Sequence, residues 1–301
     1  MGCGDVRIGL STGYLEGYWG QWPWTKMYGG SERICVELAC ALSAQGHDVT
    51  VRLPYQMRSR VWRGVRWVSL DSAPERYDLL YLFDDFAQRD RGDAEALVAC
   101  RSDPPPNTDF DSLIFLSKFH SVLMGHEGRP FVGGGVSLED YAQPKARLPR
   151  RVICTSSPDR CHRALAIGKA FDFVHSYKAV ADYPSVELDR AGLIDFQQTA
   201  QVLIYPLAPT RPSDFFSMAV LEAHAAGTPV IVSDADAMGE LWSDSALVLP
   251  GSIRMSEWHM AVEDLLIDTR KWTDLHERGL RKAQDLTWDK QATRYLAAVE
   301  A

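Results

Sequence analysis

Ser213-Asp214-Phe215-Phe216-Ser217-Met218-Ala219-Val220-Leu221-Glu222-Ala223-His224-Ala225-Ala226-Gly227-Thr228-Pro229-Val230 places two acids eight residues apart around a helix N-terminus. Asp214 precedes the first helical turn, Gly227 and Pro229 stop the helix, and Val230-Ile231-Val232 reads as a buried strand. Glu222 lies among Met218 to Leu221 and Ala223, where an ionised carboxylate is costly unless it is hydrogen-bonded, so it calls for a partner. With the residues between the acids mostly helical, the carboxylates fall about 10–12 Å apart along the axis, at ~1.5 Å of rise per residue. That separation suits a bipartite ligand. One carboxylate would hold a sugar's hydroxyls and the other a ribose diol, with free N–H groups near Phe215 to Met218 facing a diphosphate between them. Two plainer readings stand beside this one, with Asp214 only an N-cap and Glu222 an exposed helix residue. His224, about 200° round the helix from Glu222, is expected at a surface or domain interface.

The segment resembles the acid-x7-acid signature of the retaining GT-B glycosyltransferases of family 4 (glycosyl transferases group 1). It matches at Phe216, Glu222, Ala223, Ala225, Gly227, Pro229 and Val230. It departs at Asp214, where the family usually has Glu, and at Phe215 and Ser217, where its commonest version has Gly. The departures bear on the fit and identity of the donor sugar. The resemblance implies that Asp214 orients the sugar and Glu222 the ribose, with Phe215, Phe216, Ser217 and Met218 at the phosphates.

A second block lies near the N-terminus. Val6-Arg7-Ile8-Gly9-Leu10 reads as a first strand, and Tyr28-Gly29-Gly30-Ser31-Glu32 opens a helix on which Ile34, Leu38, Ala41 and Leu42 share a face. Gly46 stops that helix and Val49 to Leu53 resume as a strand, giving a β-loop-α-β unit. Gly29-Gly30 at a helix entrance serves either as a plain turn or as a close approach of backbone amides to an anion. The pattern is similar to the N-terminal domain of the same family, which implies that Gly29 and Gly30 face the donor phosphates.

Between the two blocks, glycine, proline and charge mark residues 138–150 as a linker, with domains at 1–137 and 151–286. Val152-Ile153-Cys154 reads as a strand and Ser157-Pro158-Asp159 as a helix start with Pro at its first position. The run resembles the family's hinge followed by its S-S-P-D-R loop. That implies Arg160 as the cation neutralising the leaving diphosphate and Ser156 and Ser157 as hydroxyls near the phosphates, with Thr155 where many relatives carry a further Arg. The alternative for Arg160 is a structural pair with Asp159 or Asp182.

Tyr77 to Phe83, Ser112 to Leu116, Phe171 to His175 and Gln201 to Tyr205 read as further strands. The alternation argues for two Rossmann-like doubly wound α/β domains facing across a cleft, the GT-B arrangement, both shortened, with little room between His175 and Gln201 for the elements relatives carry. Ligands of such folds sit beyond strand C-termini, so Asp84, Asp85, His175, Ser176 and Tyr177 are cleft candidates, with His175 and Tyr177 on the donor side and Asp84 on the acceptor side. By the same resemblance a C-terminal helix over 287–301, carrying Trp288, Tyr295 and Leu296, crosses back to the first domain. The aromatic loop Tyr14 to Trp24 offers Trp19, Trp22 and Trp24 as sugar-stacking faces for an acceptor, or equally as hinge packing.

At 301 residues, 46% hydrophobic and 24% charged, the sequence describes a globular protein of two ordinary domains. A net charge of −8 gives no attraction to nucleic acid. One basic run, Arg58, Arg60, Arg63 and Arg66 with Trp62 and Trp67, reads either as the solvated face of a hairpin or as a surface for a phosphorylated acceptor or peripheral membrane contact. No apolar run approaches the roughly 18–20 residues of a span, and Asp5 and Arg7 interrupt any signal-like segment, so a cytoplasmic protein is expected, peripheral to a membrane at most. Cys3, Cys35, Cys40, Cys100, Cys154 and Cys161 form no C-x-x-C pair, and the histidines form no ligand cluster. No G-x-G-x-x-G follows the first strand and Gly168-Lys169 runs into Ala170, which removes the dinucleotide and P-loop motifs. Asp234-Ala235-Asp236 spells the D-x-D of metal-dependent glycosyltransferases, but its place after Val230-Ile231-Val232 reads as a loop, and no cofactor or metal is expected.

The resemblance therefore implies a retaining transferase that moves a sugar from a nucleoside diphosphate sugar to a hydroxyl on a glycan, lipid or protein-linked acceptor. The catalytic set is Asp214, Glu222 and Arg160, and it acts by electrostatic stabilisation of the leaving group rather than by a carboxylate nucleophile. The alternatives are a catalytically weak or inactive nucleotide-sugar-binding protein and a D-x-D metal-dependent transferase.

Overall fold

The computed structural model describes residues 6–12, 30–53, 58–69, 76–83, 93–100, 111–167, 170–176, 185–207 and 212–299. They divide into two units, one running to Gly135 and taking in the last helix from Trp288, the other Val136–Thr287. In the first unit the elements are β1 (Arg7–Thr12), α1 (Gly30–Ala44), β2 (Asp48–Leu53), β3 (Arg60–Trp62), β4 (Val65–Ser69), β5 (Arg76–Phe83), β6 (Asp93–Cys100), β7 (Ser112–Ile114) and α2 (Lys118–Leu123). The sheet order is β3-β4-β2-β1-β5-β6-β7, parallel throughout except for β3 against β4. β1 lies between β2 and β5, so the winding reverses beside it. Strands buried on both faces read as apolar runs, as Val49, Val51 and Leu53 and then Leu79 to Leu82 do here. Helix α1 buries Ile34, Leu38 and Leu42 along one face and stops at Gly46, whose φ of +94° is the left-handed conformation that glycine takes without steric cost.

The basic and aromatic run is a hairpin. Arg63 and Gly64 both have positive φ between β3 and β4, the two-residue turn whose twist matches paired strands. Arg63 reaches Glu37 at 2.9 Å and lies over the Trp62 ring, Arg66 reaches Asp48 at 3.4 Å, and Trp67 is fully buried.

The second unit comprises β8 (Arg151–Cys154), α3 (Pro158–Cys161), β9 (Asp172–His175), α4 (Arg190–Thr199), β10 (Val202–Tyr205), α5 (Met218–Ala225), β11 (Val230–Asp234), α6 (Met238–Trp242), β12 (Leu247–Pro250), α7 (Met255–Ile267) and α8 (Thr269–Asp285). Its parallel sheet runs β12-β11-β10-β8-β9, with the winding reversed between β8 and β10. Beyond β9, where a doubly wound sheet adds a third strand on that side, the described residues up to Gln201 hold only α4 and a single bridge from Ser176 to Val186.

The chain re-enters the first unit through α9 (Trp288–Val299). Tyr295 packs edge-on against Tyr81 and donates to the Val132 carbonyl at 3.1 Å, while Gln291 donates to the carbonyls of Gly133 and Gly134. A Cβ on Gly135 would come 2.8 Å from the Trp288 backbone, so only glycine permits this crossing. No described helix is long and apolar enough to cross a membrane.

Residues 138–150 are carried in the second unit, where Arg147 anchors them. Its guanidinium donates to the carbonyls of Gln198 (3.2 Å), Ala200, Ala226 (3.2 Å) and Gly227 (2.7 Å) and to Thr228 Oγ1 (2.8 Å), and it lies over the Trp272 ring. The cation thereby caps the orphan carbonyls at the C-terminus of α5. Burial lowers its pKa to about 10, which leaves it charged at neutral pH. His224 is also interior, not at a surface. It is fully buried, with Nε2 3.1 Å from Ser245 Oγ and its ring against Trp242, and α8 passes so close that a Cβ on Gly279 would meet Nδ1 at 2.6 Å. The sequence missed this because α5 is buried all round, so angular distance from Glu222 says nothing about solvent.

Replacing Arg147 by Met keeps most of the stem but strands several buried carbonyls, and should lower stability in urea titration by about 3 kcal/mol. A change within a few tenths would contradict the capping role. Burial first, then Lys282 and Arg278, lowers the His224 pKa to about 3, against ~6.5 in the unfolded chain. Its contribution to stability is complete above the unfolded value and is lost as pH falls from 6.5 towards 3, with a slope approaching 1.4 kcal/mol per pH unit. His224→Gln should flatten the pH dependence of the urea midpoint in that window, and an unchanged slope would count against a neutral buried ring.

Candidate active site

The C-terminal ends of β8 and β10, where the winding reverses, carry a connected set of polar side chains. β8 ends at Cys154 and hands the chain through Thr155 and Ser156 to α3, which holds Arg160. β10 ends at Tyr205, and the loop after it returns at Pro212 to Phe216 before α5 begins. Ser156 Oγ donates to the Tyr205 hydroxyl at 3.0 Å, and that hydroxyl donates to Asp214 Oδ2. Arg160 Nη1 approaches the same Oδ2 at 3.6 Å.

Asp214 is only 3% exposed. Burial raises its pKa, opposed by Arg160, the Tyr205 hydroxyl and the Phe216 amide, with Asp236 adding to the rise. The backbone around Asp214 is pinned as well, because Asp236 Oδ2 accepts from the amides of Ser213 (2.9 Å) and Asp214 (3.0 Å). Asp236 adopts φ +50°, a left-handed conformation that Asp tolerates better than most residues. The Asp234-Ala235-Asp236 triplet therefore spends its second carboxylate on two backbone amides, and no group of three metal-ligating side chains occurs among the described residues.

Ser217, not Asp214, is the N-cap of α5, accepting from the Val220 amide, so the plainer reading of Asp214 fails. Because α5 starts only at Met218, Phe215 to Ser217 are not helical, and the helical rise applies to the latter part of the stretch between the acids. The first amides of α5, those of Met218 and Ala219, precede its first i to i−4 bond, from Leu221 to Ser217, and lie at the positive end of the helix.

Glu222 is buried too, which removes the exposed reading, and it has the partners its surroundings call for. Arg190 Nη1 donates to Oε1 at 3.0 Å and Gln197 Nε2 to Oε2 at 3.3 Å, both from α4. Arg190 also reaches Asp140 Oδ2 at 2.8 Å, and the Tyr141 hydroxyl donates to Gln197 at 3.0 Å. The two acids thus sit in two networks, Asp214 with β8, β10 and α3, and Glu222 with α4 and the turn Leu138–Tyr141.

His175, at the end of β9, is interior and lies beside Cys154 in register. Cys161 donates to Cys154, which with His175 holds the Cys154 thiol down at about 6, while burial pushes Cys161 up. Cys35, Cys40, Cys154 and Cys161 are all buried. Ser157 is the N-cap residue of α3, and Gly30 opens α1 in the first unit. Gly29, Tyr177, Trp19, Trp22, Trp24, Asp84 and Asp85 lie outside the described residues. Sequence reasoning missed Tyr205, Asp236, Arg190 and Gln197. The available signal for Tyr205 was a polar-tipped aromatic ending an otherwise aliphatic strand, Val202-Leu203-Ile204-Tyr205.

No protein-family profile matches the chain. A D-inositol 3-phosphate glycosyltransferase from Jonesia denitrificans is 32% identical over 114 residues, 37% of this chain and 26% of that protein, so the likeness spans about a quarter of the relative's length. Among solved structures, sucrose-phosphate synthase from Thermosynechococcus elongatus superposes with a TM-score of 0.77 at 13% identity, covering 98% of each chain. A glycosyltransferase involved in avilamycin A biosynthesis gives 0.72 at 16% identity over 98% of this chain and 97% of that one. HepE from Anabaena, solved in complex with UDP-glucose, gives 0.67 at 13% identity over 98% and 100%. The chain has the fold of the GT-B glycosyltransferases, two parallel α/β units each wound in both directions from its first strand.

Proposed function

We propose that this chain is a retaining glycosyltransferase that takes a nucleoside diphosphate sugar as donor and transfers the sugar to an acceptor hydroxyl on a glycan, lipid or protein. A fold hosts many activities, so the reading rests on the site. The observation that carries it is the pair of buried acids, Asp214 and Glu222, flanking the N-terminus of α5 beside the strands where the winding reverses. Open α/β sheets hold nucleotides at that point. UDP-glucose in HepE, a chain of the same fold, supports a uridine diphosphate sugar as the first donor to try.

In this reading the diphosphate lies over the amides of Met218 and Ala219, with the α5 dipole and Arg160 opposing the charge that develops as the glycosidic bond breaks. Asp214 accepts from hydroxyls of the sugar and Glu222, held by Arg190 and Gln197, from the ribose diol. The acceptor oxygen attacks the face that the diphosphate leaves. Neither acid bonds to the anomeric carbon, unlike the nucleophile of a retaining hydrolase. Arg160 and the helix terminus supply the positive charge, so catalysis proceeds without a divalent metal.

Incubation with UDP-, GDP- and ADP-sugars in the presence of EDTA should release the nucleoside diphosphate from one of them, slowly without acceptor and faster with it. Arg160→Ala should cut turnover on the order of 10²-fold, as loss of one preorganised donor does elsewhere. Glu222→Gln should mainly weaken donor binding in calorimetry. Strict dependence on divalent metal, or wild-type behaviour of both variants, would contradict the proposal.

A further inference from the structure

We propose that Tyr205 is a positioning residue that fixes the Asp214 carboxylate for the donor sugar, braced by Ser156 on one side and by the Asp236 clamp on the Asp214 backbone on the other. The inference rests on the glycosyltransferase reading above and names a part of the site that the acid signature does not contain.

Three observations carry it. The hydrogen bonds have one direction, from Ser156 Oγ to the Tyr205 hydroxyl and from that hydroxyl to Asp214 Oδ2, so the phenol is an acceptor at one end and the carboxylate's donor at the other. Burial and the neighbouring Asp214 charge push the Tyr205 pKa up, so the phenol keeps its proton and is a donor at neutral pH. Asp214 is held twice, at its side chain by Tyr205 and at its backbone by Asp236, whose carboxylate accepts from the Ser213 and Asp214 amides. With Oδ2 committed, rotation of the carboxylate about its Cβ–Cγ bond breaks that hydrogen bond. A preorganised acceptor aligns a sugar hydroxyl without reorganising when the transition state forms.

The electrostatics give the arrangement a second consequence. The groups facing Asp214 are Tyr205 from β10, Arg160 and Cys161 from α3, Asp236 from the loop after β11, and the Phe216 amide from its own segment. Burial and Asp236 favour the protonated acid, while Arg160, Tyr205 and the amide favour the carboxylate. Tyr205 is the neutral side chain of the opposing set and the one that a single-atom substitution removes. An Asp in place of the longer Glu brings the carboxylate closer to its own backbone, where a hydrogen bond from the end of β10 reaches it.

The test is Tyr205→Phe, with Ser156→Ala as a second, smaller perturbation and Asp214→Asn as reference, each assayed over pH for release of the nucleoside diphosphate. Urea midpoints confirm that the variants fold. For Tyr205→Phe the expected result is about a tenfold fall in kcat with a smaller change in donor KM, and an acid limb of the pH–rate profile moved up by about one pH unit, because the carboxylate has lost a donor. Ser156→Ala should move the limb in the same direction by less. Wild-type kcat and pH profile in folded Tyr205→Phe, with Asp214→Asn inactive, would overturn the role of Tyr205 and leave the glycosyltransferase reading standing. A fall in kcat with an unmoved acid limb would reduce Tyr205 to a packing residue and also overturn it. Wild-type activity of Asp214→Asn would overturn both.

Discussion

A carboxylate taken out of water must be met by donors, and the second unit meets that need at Asp214. Its donors come from three places in the chain, a phenol at the end of β10, a guanidinium on α3 and an amide in Asp214's own segment before α5. They converge because β8 and β10 are neighbours in the sheet while the chain between them winds out to β9 and back. Neighbouring strands with oppositely directed crossovers leave a crevice at their C-terminal ends, and that is where Ser156, Arg160, Tyr205 and Asp214 meet. Without the reversal between β8 and β10, the same residues would not share a site.

Helix α5 is anchored at both ends by charge of the expected sign. Arg147 sits among the carbonyls at its C-terminus, and the acid pair brackets its N-terminal half. Glu222 reaches sideways to Arg190, which divides its charge between Glu222 and Asp140. A buried ion pair of this kind adds little net stability but is expensive to break, so it fixes where α4 and α5 lie against each other. The shortened second sheet makes this bracing more important, since α4 is the only helix described between β9 and β10.

The legible features in the sequence were those with a local physical signature. Gly46 and Gly227 both take positive φ where the helices stop, the apolar runs at Val49 to Leu53 and Val230 to Val232 are strands, and the acids flank a helix start. β6 escaped notice because Asp93-Ala94-Glu95-Ala96-Leu97-Val98-Ala99-Cys100 is rich in Ala and acids, residues of low strand propensity, and it becomes a strand only through pairing with β5 and β7. Asp236 looked like half of a metal motif because spacing alone does not reveal that its oxygen faces two amides from a loop more than twenty residues earlier. Tyr205, Arg190 and Gln197 act through contacts between elements, which no window along the chain contains. The second network at Glu222 was legible only as a demand, since burial of the acid required partners that periodicity does not name.

The central claim is that a nucleoside diphosphate sugar binds the second unit at the start of α5, with Asp214 and Arg160 on either side of its scissile bond. Amide hydrogen exchange, followed in turn with UDP-glucose, GDP-mannose and ADP-glucose, tests it most directly. The account predicts that whichever of these binds slows exchange across Phe215 to Leu221 and around Arg160. Protection by that ligand confined to other segments, with Phe215 to Leu221 unchanged, would contradict it.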